Sequence, residues 1–397
     1  MDRIREEGYV LSLQNREKLQ IYIAKTLRRL QNISKQITHL QGDHRLKVSF
    51  FIGSLYGGGA ERVVSILANH FCKRGWDVEV ALMLENKVEY PLDPKIKVID
   101  LTQSSKSYVI NLLPWVLGVR RYVKTARPDR IISFIGRVNV LVLTSTIGSS
   151  VPVIISERND INSDGRGKIM RLLCNTIYPL AAAIVFQTKY QQSCFPRYLA
   201  QKSYIIKNPI KVDVTAVETD EMTIISAGRL SPQKNQMLMI EAVSMLHEEF
   251  PKLKLEIYGD GTLRDSLLSA IEQNNLNDCV FLRGNVKNIH ERMAAARLFL
   301  MTSEFEGMPN ALLEAMAIGL PCITTDYPGA EEIIQNETNG LVVPRNDAKA
   351  LADAIRKVLE DNVLEKKIRQ NALFSSELYR EEEVFKQWDA IVKAGKS

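Results

Sequence analysis

Residues 298–317 read LFLMTSEFEGMPNALLEAMA, and this stretch indicates the fold class. The segment Leu298–Thr302 is short and apolar, which is typical of a strand buried in a parallel sheet. The segment that begins at Pro309 favours a helix, and proline suits the first helical turn because its missing N–H has no partner to lose there. A strand, a polar loop and a helix in this order are part of a βαβ unit, so the stretch predicts an α/β protein.

The same order recurs on both sides of this stretch. Near the N-terminus, the apolar strand Val48–Ile52 leads into the glycine-rich turn Gly53–Gly59 and then into Ala60–Arg74, whose apolar residues have helical spacing. The order restarts with a strand at Thr223–Ser226 and a helix at Gln236–Glu249. Two such series predict two domains with parallel sheets. Further strands are predicted at Trp76–Leu84, Lys97–Leu101, Arg130–Phe134, Val153–Ser156, Lys254–Tyr258, Cys279–Arg283, Pro321–Thr325 and Gly340–Val343.

Length and composition exclude several classes of protein. The length of 397 residues exceeds what one simple core needs, and 45% hydrophobic with 25% charged residues is typical of a soluble globular protein. The longest apolar stretches, 109–119 and 177–186, are shorter than the roughly 18 residues that a membrane-spanning helix requires. The five cysteines are scattered without a Cys-x-x-Cys spacing and no signal peptide is visible, so we expect a reducing, cytoplasmic compartment and no zinc site.

Two segments concentrate positive charge. Residues 12–41 have apolar residues at helical spacing with basic residues between them, which fits an oligomerisation arm, a membrane-surface helix or a helix packed on the body. Residues 103–130 combine aromatic, apolar and basic side chains, as at a bilayer interface, although an ordinary half-buried helix with a basic face fits as well. We therefore expect an anionic membrane surface as a partner, and no nucleic acid, because the charge does not line an aromatic-rich groove. In the second segment the interfacial candidates are Tyr108, Leu112, Leu113, Trp115, Val116 and Val119, beside Lys106, Arg120, Arg121 and Lys124.

Two loops that follow predicted strands carry groups suited to phosphate. In the first, Gly57–Arg62, glycines let the backbone approach a ligand, and the following helix start offers free N–H groups. This motif is neither GxGxxG nor a P-loop, and a bare tight turn fits it equally well. In the second, Gly228–Asn235, the cations Arg229 and Lys234 can neutralise a diphosphate, or they can be two solvated surface cations.

The stretch quoted first holds two carboxylates eight residues apart, Glu306 and Glu314. Glu306 is predicted in the loop just before the helix and Glu314 about one turn inside it, so both can face one cleft. They can accept hydrogen bonds from sugar hydroxyls while the helix start binds a phosphate. Two ordinary surface glutamates are the alternative, but the neighbouring residues are small and apolar, as in a buried helix, where a carboxylate needs a purpose.

On these residues the chain resembles glycosyltransferase family 4, whose members are retaining enzymes of the GT-B fold. The resemblance runs from about Leu46 to the C-terminal helix, and it rests on the E-x7-E pattern, the GRLSPQKN loop at 228–235, Gly-Leu-Pro at 319–321 and the Thr-Asp and Pro-Gly pairs within 325–329. The opening GGGAERVV and the segment SERND at 156–160 are similar to the subgroup that builds polysaccharides on polyprenyl-diphosphate carriers, including N-acetylgalactosaminyltransferases.

The resemblance implies an α/β protein of two facing Rossmann-like domains with parallel sheets and an N-terminal helical extension. The implied domains are the extension at 1–45, an acceptor-binding domain at 46–206, a nucleotide-sugar-binding domain at 207–376, and a helix at 377–397 that crosses back to the first domain.

The resemblance also implies roles for individual residues. Arg229 and Lys234 would bind the donor diphosphate and stabilise it as the leaving group, Glu306 would face the donor sugar, and Glu314 would hold the ribose hydroxyls. Together Arg229, Lys234 and Glu306 are the expected catalytic residues. The expected donor-binding residues are Gly58, Gly59, Arg229, Lys234, Gly259, Gly261, Arg283, Asn285, Val286, Glu306, Met308, Pro309, Asn310, Ala311, Leu312 and Glu314.

The chain departs from the family pattern in the N-terminal cleft. Many members carry His or Asp near the loop after the fourth strand, but this loop reads GRVN at 136–139, so we name no general base. In the scheme usual for the family, the departing phosphate oxygen takes the acceptor proton, and positioning and charge stabilisation do most of the catalysis. No D-x-D motif occurs, so no metal and no other cofactor is expected. The expected acceptor contacts are Arg137, Asn139, Glu157, Arg158 and Asp160.

The expected function is the retaining, metal-independent transfer of a hexose or N-acetylhexosamine from a UDP-sugar to a glycan acceptor linked to polyprenyl diphosphate. The enzyme would act peripherally on the cytoplasmic face of the membrane, in polysaccharide biosynthesis. One alternative is an epimerase or phosphorylase on the GT-B scaffold, but the main loops lack the histidine that an epimerase often uses. Another is an inactive membrane-associated binding protein, which the intact set of two cations and two carboxylates disfavours.

Overall fold

The structure is a computed structural model that describes residues 45–103, 108–212, 214, 220 and 222–394. Both sheets lie in one compact unit, Leu46–Phe385. The predicted helix at 12–41 lies outside the described residues, as do Lys106 and the side chain of Tyr108. The domain bounds stated above therefore stay a prediction.

The N-terminal half, residues 47–205, is built on a parallel sheet that has seven strands within the described residues. The strands are β1 (Lys47–Ile52), β2 (Asp77–Leu82), β3 (Lys97–Asp100), β4 (Arg130–Phe134), β5 (Val153–Ser156), β6 (Ala183–Phe186) and β7 (Ser203–Ile205), in the order β3-β2-β1-β4-β5-β6-β7. The helices between them are α1 (Gly59–Lys73), α2 (Tyr108–Ala126), α3 (Gly136–Ser145), α4 (Lys168–Ile177) and α5 (Lys189–Ser193).

The C-terminal half, residues 222–385, repeats this plan on a sheet of six described strands, all parallel. The strands are β8 (Thr223–Ala227), β9 (Lys254–Tyr258), β10 (Val280–Gly284), β11 (Leu298–Met301), β12 (Cys322–Thr325) and β13 (Leu341–Val343), in the order β10-β9-β8-β11-β12-β13. The helices are α6 (Gln236–Ser244), α7 (Arg264–Gln273), α8 (Ile289–Ala294), α9 (Asn310–Ile318), α10 (Ala348–Glu360), α11 (Asn362–Ser376) and α12 (Glu381–Lys393), of which the last continues beyond this unit.

The strand order decides where ligands can bind. In each sheet the order reverses once, between β1 and β4 in the first and between β8 and β11 in the second. Ligands of open α/β sheets bind at the carboxyl ends of the strands at such a reversal. The loops after β8 and β11 are the two in which the sequence places the cations and the first of the two glutamates, so topology brings these residues together.

The core consists of apolar side chains packed between the sheets and their helices. In α1, Phe71 stacks on Trp76 with ring centroids 4.7 Å apart and on Phe50 of β1 at 5.9 Å. These three aromatic residues are buried, and such ring pairs contribute about 0.5–1.5 kcal/mol each beyond the burial of their area. This packing fixes α1, and with it the glycine-rich turn that precedes α1, on the sheet.

The structure corrects several predictions made from the sequence. It adds β6 and β7, which are short, and it ends α6 at Ser244, about one turn before the predicted end. The residues Gly136–Asn139, predicted as a loop, form the first turn of α3. In α2, Trp115 and Val119 are 4% and 0% exposed, so they belong to the core and not to an interface. Among the described helices, none combines the length and the apolarity needed to cross a membrane.

Candidate active site

The loop after β8 holds the two predicted cations against the loop after β11. Thr302 donates its hydroxyl to the carbonyl oxygens of Lys234 and Asn235, at 3.0 and 2.8 Å, because β8 and β11 are neighbours. The ammonium of Lys234 then lies 2.5 Å from Oε1 of Glu306. Two residues that the sequence predicts to be catalytic therefore form an ion pair.

Glu306 is a buried carboxylate with partners inside the chain. Its Oε1 also accepts the hydroxyl of Ser303 at 2.6 Å, and the side chain is only 8% exposed. The backbone of its loop is held by Gln233, whose amide donates to the carbonyl of Phe305 at 2.8 Å. Since the loop is bonded to the β8 loop on both backbone and side-chain groups, Glu306 is fixed in place by the fold.

Glu314 lies on α9, one turn past the first residue of that helix. It is buried and forms an ion pair with Arg62 of α1, while Nε2 of His290 lies 3.4 Å from its other oxygen. Neither Arg62 nor His290 has a role predicted from the sequence. The pair of Arg62 with Glu314 joins the N-terminal half to the C-terminal half beside the helix start predicted to bind the donor.

The glycine-rich turn of the N-terminal half faces the same loops. Nη2 of Arg229 donates to the carbonyl of Gly57 at 3.2 Å, and a Cβ on Gly59 would lie 3.3 Å from Nδ2 of Asn310. Burial raises the pKa of Glu61 at the start of α1, and the charge of Arg229 opposes this shift in part. The turn therefore brings backbone from the N-terminal half next to Arg229 and to the start of α9.

The loops predicted to line a nucleoside pocket lie beside the β8 loop. Gly259 donates its N–H to Gly284 at 2.8 Å, and Gly259 has φ +130°, which favours glycine. A Cβ on Gly261 would lie 2.8 Å from the backbone nitrogen of Leu230, so only glycine fits this close approach. The side chain of Arg283 is engaged elsewhere, in a 2.6 Å ion pair with a glutamate of β9, while Asn285 is exposed and Val286 is half-buried.

The predicted acceptor contacts divide into two groups. Glu157 is buried and bonded to Arg166, at 2.8 and 3.2 Å, and to the hydroxyl of Tyr178. Asp160 accepts the hydroxyl of Ser163 at 2.7 Å, so both carboxylates have partners within their own half. The amide of the buried Asn139 donates to the backbone of β5 at 3.0 Å, whereas Arg137 is exposed at the start of α3.

Arg158 is the predicted acceptor residue that reaches the other half. It is buried, its guanidinium lies 4.6 Å from the centre of the Phe134 ring, and burial lowers its pKa to about 9. Nη1 of Arg158 donates to Oδ1 of Asn208 at 2.7 Å, and a Cβ on Gly307 would lie 2.9 Å from its carbonyl carbon. The loop that carries Glu306 therefore packs directly on Arg158.

Two further features of the site could not be read from the sequence. Ile135, between β4 and α3, has φ 74° and ψ 132°, which is rare for a β-branched residue and costs about 1–3 kcal/mol of strain. Such strain often marks a functional site. Tyr327 is buried after β12, its hydroxyl has no partner among the described residues, and burial and the charge of Glu306 raise its pKa well above the ordinary value.

The chain is similar in sequence to known glycosyltransferases. Residues 208–373 match the family model described as glycosyl transferases group 1. A GalNAc-alpha-(1->4)-GalNAc-alpha-(1->3)-diNAcBac-PP-undecaprenol alpha-1,4-N-acetyl-D-galactosaminyltransferase of Campylobacter jejuni is 27% identical over 82% of this chain and 92% of its own length. An N-acetylgalactosamine-N,N'-diacetylbacillosaminyl-diphospho-undecaprenol 4-alpha-N-acetylgalactosaminyltransferase of the same organism is 28% identical over 82% of this chain and 93% of its own length.

Solved structures show the fold. The crystal structure of Anabaena Alr3699/HepE in complex with UDP and glucose is similar to this chain with a TM-score of 0.72 and 20% identity, and the similarity covers 87% of this chain and 98% of that one. Sucrose-phosphate synthase from Thermosynechococcus elongatus has a TM-score of 0.73 and 18% identity, over 87% of this chain and 98% of its own. The predicted GT-B fold is confirmed. The matches together support a glycosyltransferase of the GT-B fold, and residues 208–373 are similar to the glycosyl transferases group 1 model.

Proposed function

We propose that the protein transfers a sugar from a UDP-sugar to a glycan linked to polyprenyl diphosphate, with retention of anomeric configuration and without a metal ion. The observation that carries this proposal is the meeting of Arg229, Lys234, Glu306 and the glycine-rich turn in one cleft, with the Arg62–Glu314 pair beside them. The Campylobacter relatives support the acceptor class, because their names give undecaprenol-diphosphate acceptors.

The charges of the cleft suit a diphosphate leaving group. Lys234 would exchange its contact with Glu306 for a phosphate oxygen, and Arg229, which lies against Gly57, would bind the same diphosphate from the side of the turn. The free N–H groups at the start of α9 would add fixed positive dipoles. These groups would stabilise the charge that develops as the bond to the sugar breaks, which is the role that a metal ion has in other transferases.

Glu306 would then accept hydrogen bonds from hydroxyls of the donor sugar. Its other partner, the hydroxyl of Ser303, can remain in place because a carboxylate accepts several hydrogen bonds. Glu314 would exchange Arg62 for the ribose hydroxyls in the same way. No residue of this chain needs to act as a general base if the departing phosphate oxygen takes the proton of the acceptor.

A surface of the N-terminal half suits an anionic bilayer, where a lipid-linked acceptor would be found. The helices α2, α3 and α4 contain six Lys or Arg residues and no acidic residue. Ile169 and Leu172 of α4 are 78% and 63% exposed, and Leu113 of α2 is 65% exposed. Exposed apolar side chains among cations are typical of membrane-surface segments, so this face would rest on the cytoplasmic side of the membrane.

The first test measures UDP release from a panel of UDP-sugars, with a membrane lipid extract as acceptor source, in the presence and absence of EDTA. We expect release with one sugar, indifferent to EDTA, and a loss of about 10²-fold or more in Glu306→Gln because the developing charge and the sugar lose a fixed partner. The matched control is Glu304→Gln, whose side chain accepts hydrogen bonds from Asn235 at 2.9 Å and from Asn346 at 3.5 Å.

The outcomes separate the parts of the proposal. A product whose anomeric configuration is inverted, measured by NMR, would refute retention. Loss of activity with EDTA that Mg²⁺ restores would refute metal independence. Equal activity in Glu306→Gln and Glu304→Gln would refute the proposed position of the active site. UDP binding without release of UDP from any UDP-sugar would favour an inactive binding protein.

A further inference from the structure

Asn208 lies where the chain passes from the N-terminal half to the C-terminal half. It follows β7 and precedes the second sheet, and it is only 2% exposed. No prediction from the sequence gave it a role. A polar side chain that is buried so completely needs hydrogen-bond partners. The positions of these partners show which parts of the chain the side chain connects.

The side-chain amide of Asn208 makes four hydrogen bonds, two to each half. Its Oδ1 accepts from Nη1 of Arg158 at 2.7 Å and from Nε2 of Gln187 at 2.6 Å. Its Nδ2 donates to the carbonyl of Met308 at 3.2 Å and to Oδ1 of Asn310 at 2.5 Å. The oxygen Oδ1 thus binds the N-terminal half, and the nitrogen Nδ2 binds the loop and helix start that follow Glu306.

This pattern uses the full hydrogen-bonding capacity of an amide. An amide has two acceptor sites on oxygen and two donors on nitrogen, and here each one has a partner. A carboxylate has acceptors only, and an aliphatic side chain has neither. A buried asparagine can therefore satisfy the donors of the N-terminal half and the acceptors of the C-terminal half at the same time. Because the amide is planar, it also fixes the angle between these two sets of hydrogen bonds.

The surrounding packing leaves little freedom at this point. A Cβ on Gly307 would lie 2.7 Å from Oε1 of Gln187, and the same Gln187 donates to Asn208. The backbone N–H of Asn208 also lies 3.2 Å from the sulfur of Met308. The segment 302–310, which carries Glu306 and is called the donor loop below, is therefore held around the Asn208 amide in direct contact with residues that follow β5 and β6.

We propose that Asn208 is a positioning residue that couples the acceptor side of the cleft, through Arg158, to the donor loop, through Met308 and Asn310. It acts through these residues and not by contact with the reacting atoms. The inference rests on the proposed function, because it assigns the acceptor to the side of Arg158 and the donor to the side of Glu306.

The variant Asn208→Asp removes the two hydrogen bonds that the side chain donates to the C-terminal half and keeps the two that it accepts from the N-terminal half. The new carboxylate still accepts from Arg158 and Gln187, and the added charge pairs with the buried guanidinium, so the chain should fold. Toward Met308 and Asn310 it presents oxygen to oxygen. Rotation of the Asn310 amide can relieve one of these two contacts, but the carbonyl of Met308 cannot change.

A second buried asparagine is the matched control. Asn339 is 3% exposed, its Oδ1 accepts from the backbone of Gln335 at 2.7 Å, and its Nδ2 donates to the carbonyl of Ile333 and to Ser375, both at 3.0 Å. These partners all lie within the C-terminal half. Asn339→Asp therefore imposes the same chemical change at the same burial without touching the junction between the halves.

The first measurement is the steady-state rate with the donor and the lipid extract for wild type and both variants. Because a misplacement of about 1 Å at reacting groups can lower a rate by about 10²-fold, we expect kcat of Asn208→Asp to fall by roughly 10-fold to 10²-fold while KM for the donor changes less than about 3-fold. Asn339→Asp should keep kcat at a temperature at which all three proteins are folded.

The second measurement does not depend on activity. Amide hydrogen exchange should become faster in Asn208→Asp at 157–160 and at 306–310, and it should be unchanged at both places in Asn339→Asp. Equal kcat in the two variants, or unchanged exchange at the junction in Asn208→Asp, would overturn the inference. A wild type that transfers no sugar would instead count against the proposed function, while the exchange experiment would still decide the coupling.

Discussion

Replacing Gly307 with alanine would drive a methyl group into the N-terminal half. The new Cβ would lie 2.7 Å from Oε1 of Gln187 and 2.9 Å from the carbonyl carbon of Arg158, and nearer still to the carbonyl oxygen of Arg158. Gln187 is a side chain and can move, but the carbonyl of Arg158 is backbone. Carbon–carbon contacts are optimal at about 3.5–4.0 Å, so the loop and Arg158 must separate by at least about 0.6 Å.

This separation falls between the groups assigned to the acceptor and to the donor. We expect kcat for sugar transfer to drop by roughly 10-fold to 10²-fold, since a displacement near 1 Å costs about that much, and the free energy of unfolding to fall by about 1–3 kcal/mol from overpacking. The assay compares UDP release and urea unfolding in Gly307→Ala with the same quantities in Gly340→Ala.

The comparison variant places a clash with backbone inside the C-terminal half, away from the proposed site. A Cβ on Gly340 would lie 2.9 Å from the backbone oxygen of Cys322 and 2.9 Å from Cγ2 of Ile334, inside the C-terminal half. We expect Gly340→Ala to lose stability in the same range and to keep kcat while folded. If both variants lose kcat equally, or if Gly307→Ala keeps the rate of the wild type, the packing of the donor loop on Arg158 does not control the reaction.

Three other predictions, two of them with a control variant, test the structure more locally. Tyr178→Phe should lower the free energy of unfolding by about 1.5–3 kcal/mol because its buried hydroxyl bonds to a carboxylate, whereas Tyr327→Phe should cost nothing in urea unfolding because that hydroxyl has no partner among the described residues. Burial raises the folded-state pKa of Glu61 above 4.5, so its contribution to stability is fully present below that pH and is lost as pH rises through the folded-state pKa. Glu61→Gln should remove this part of the pH dependence, measured as melting temperature from pH 4 to 8. Glu332→Ala should lower the melting temperature because its carboxylate accepts two backbone N–H bonds at the start of α5, at 2.8 and 2.7 Å, while the exposed Glu331→Ala should leave it unchanged.

The sequence predicts the fold well because strands buried in parallel sheets are marked by short apolar runs between turn residues. The predicted strands at Arg130–Phe134, Val153–Ser156 and Lys254–Tyr258 agree with the structure at both ends. The strand β7 escaped prediction because it has only three residues, Ser203–Ile205, none of them fully buried. Periodicity has no signal in a segment of that length.

The site is only partly predictable for a different reason. Arg229, Lys234 and Glu306 could be grouped because each follows a strand at the same edge of one sheet. The partners Arg62 and Asn208 could not, because the residues of the C-terminal half that they contact, Glu314 and Met308, lie far away in the sequence. Contacts between distant segments of the chain leave no local pattern in the sequence.

The ion pairs of the cleft determine which anionic ligands it can bind well. Lys234 already has a carboxylate partner in Glu306, and Glu314 already has one in Arg62. A ligand that offers only phosphate takes Lys234 away and leaves a buried carboxylate without a counter-charge, a loss of about 3–5 kcal/mol for such groups. A ligand that brings phosphate and hydroxyls together replaces both partners in one step. We therefore expect the cleft to prefer a complete nucleotide sugar over the many simple phosphates of a cell, because only the nucleotide sugar also offers hydrogen bonds to the carboxylates that lose their cations.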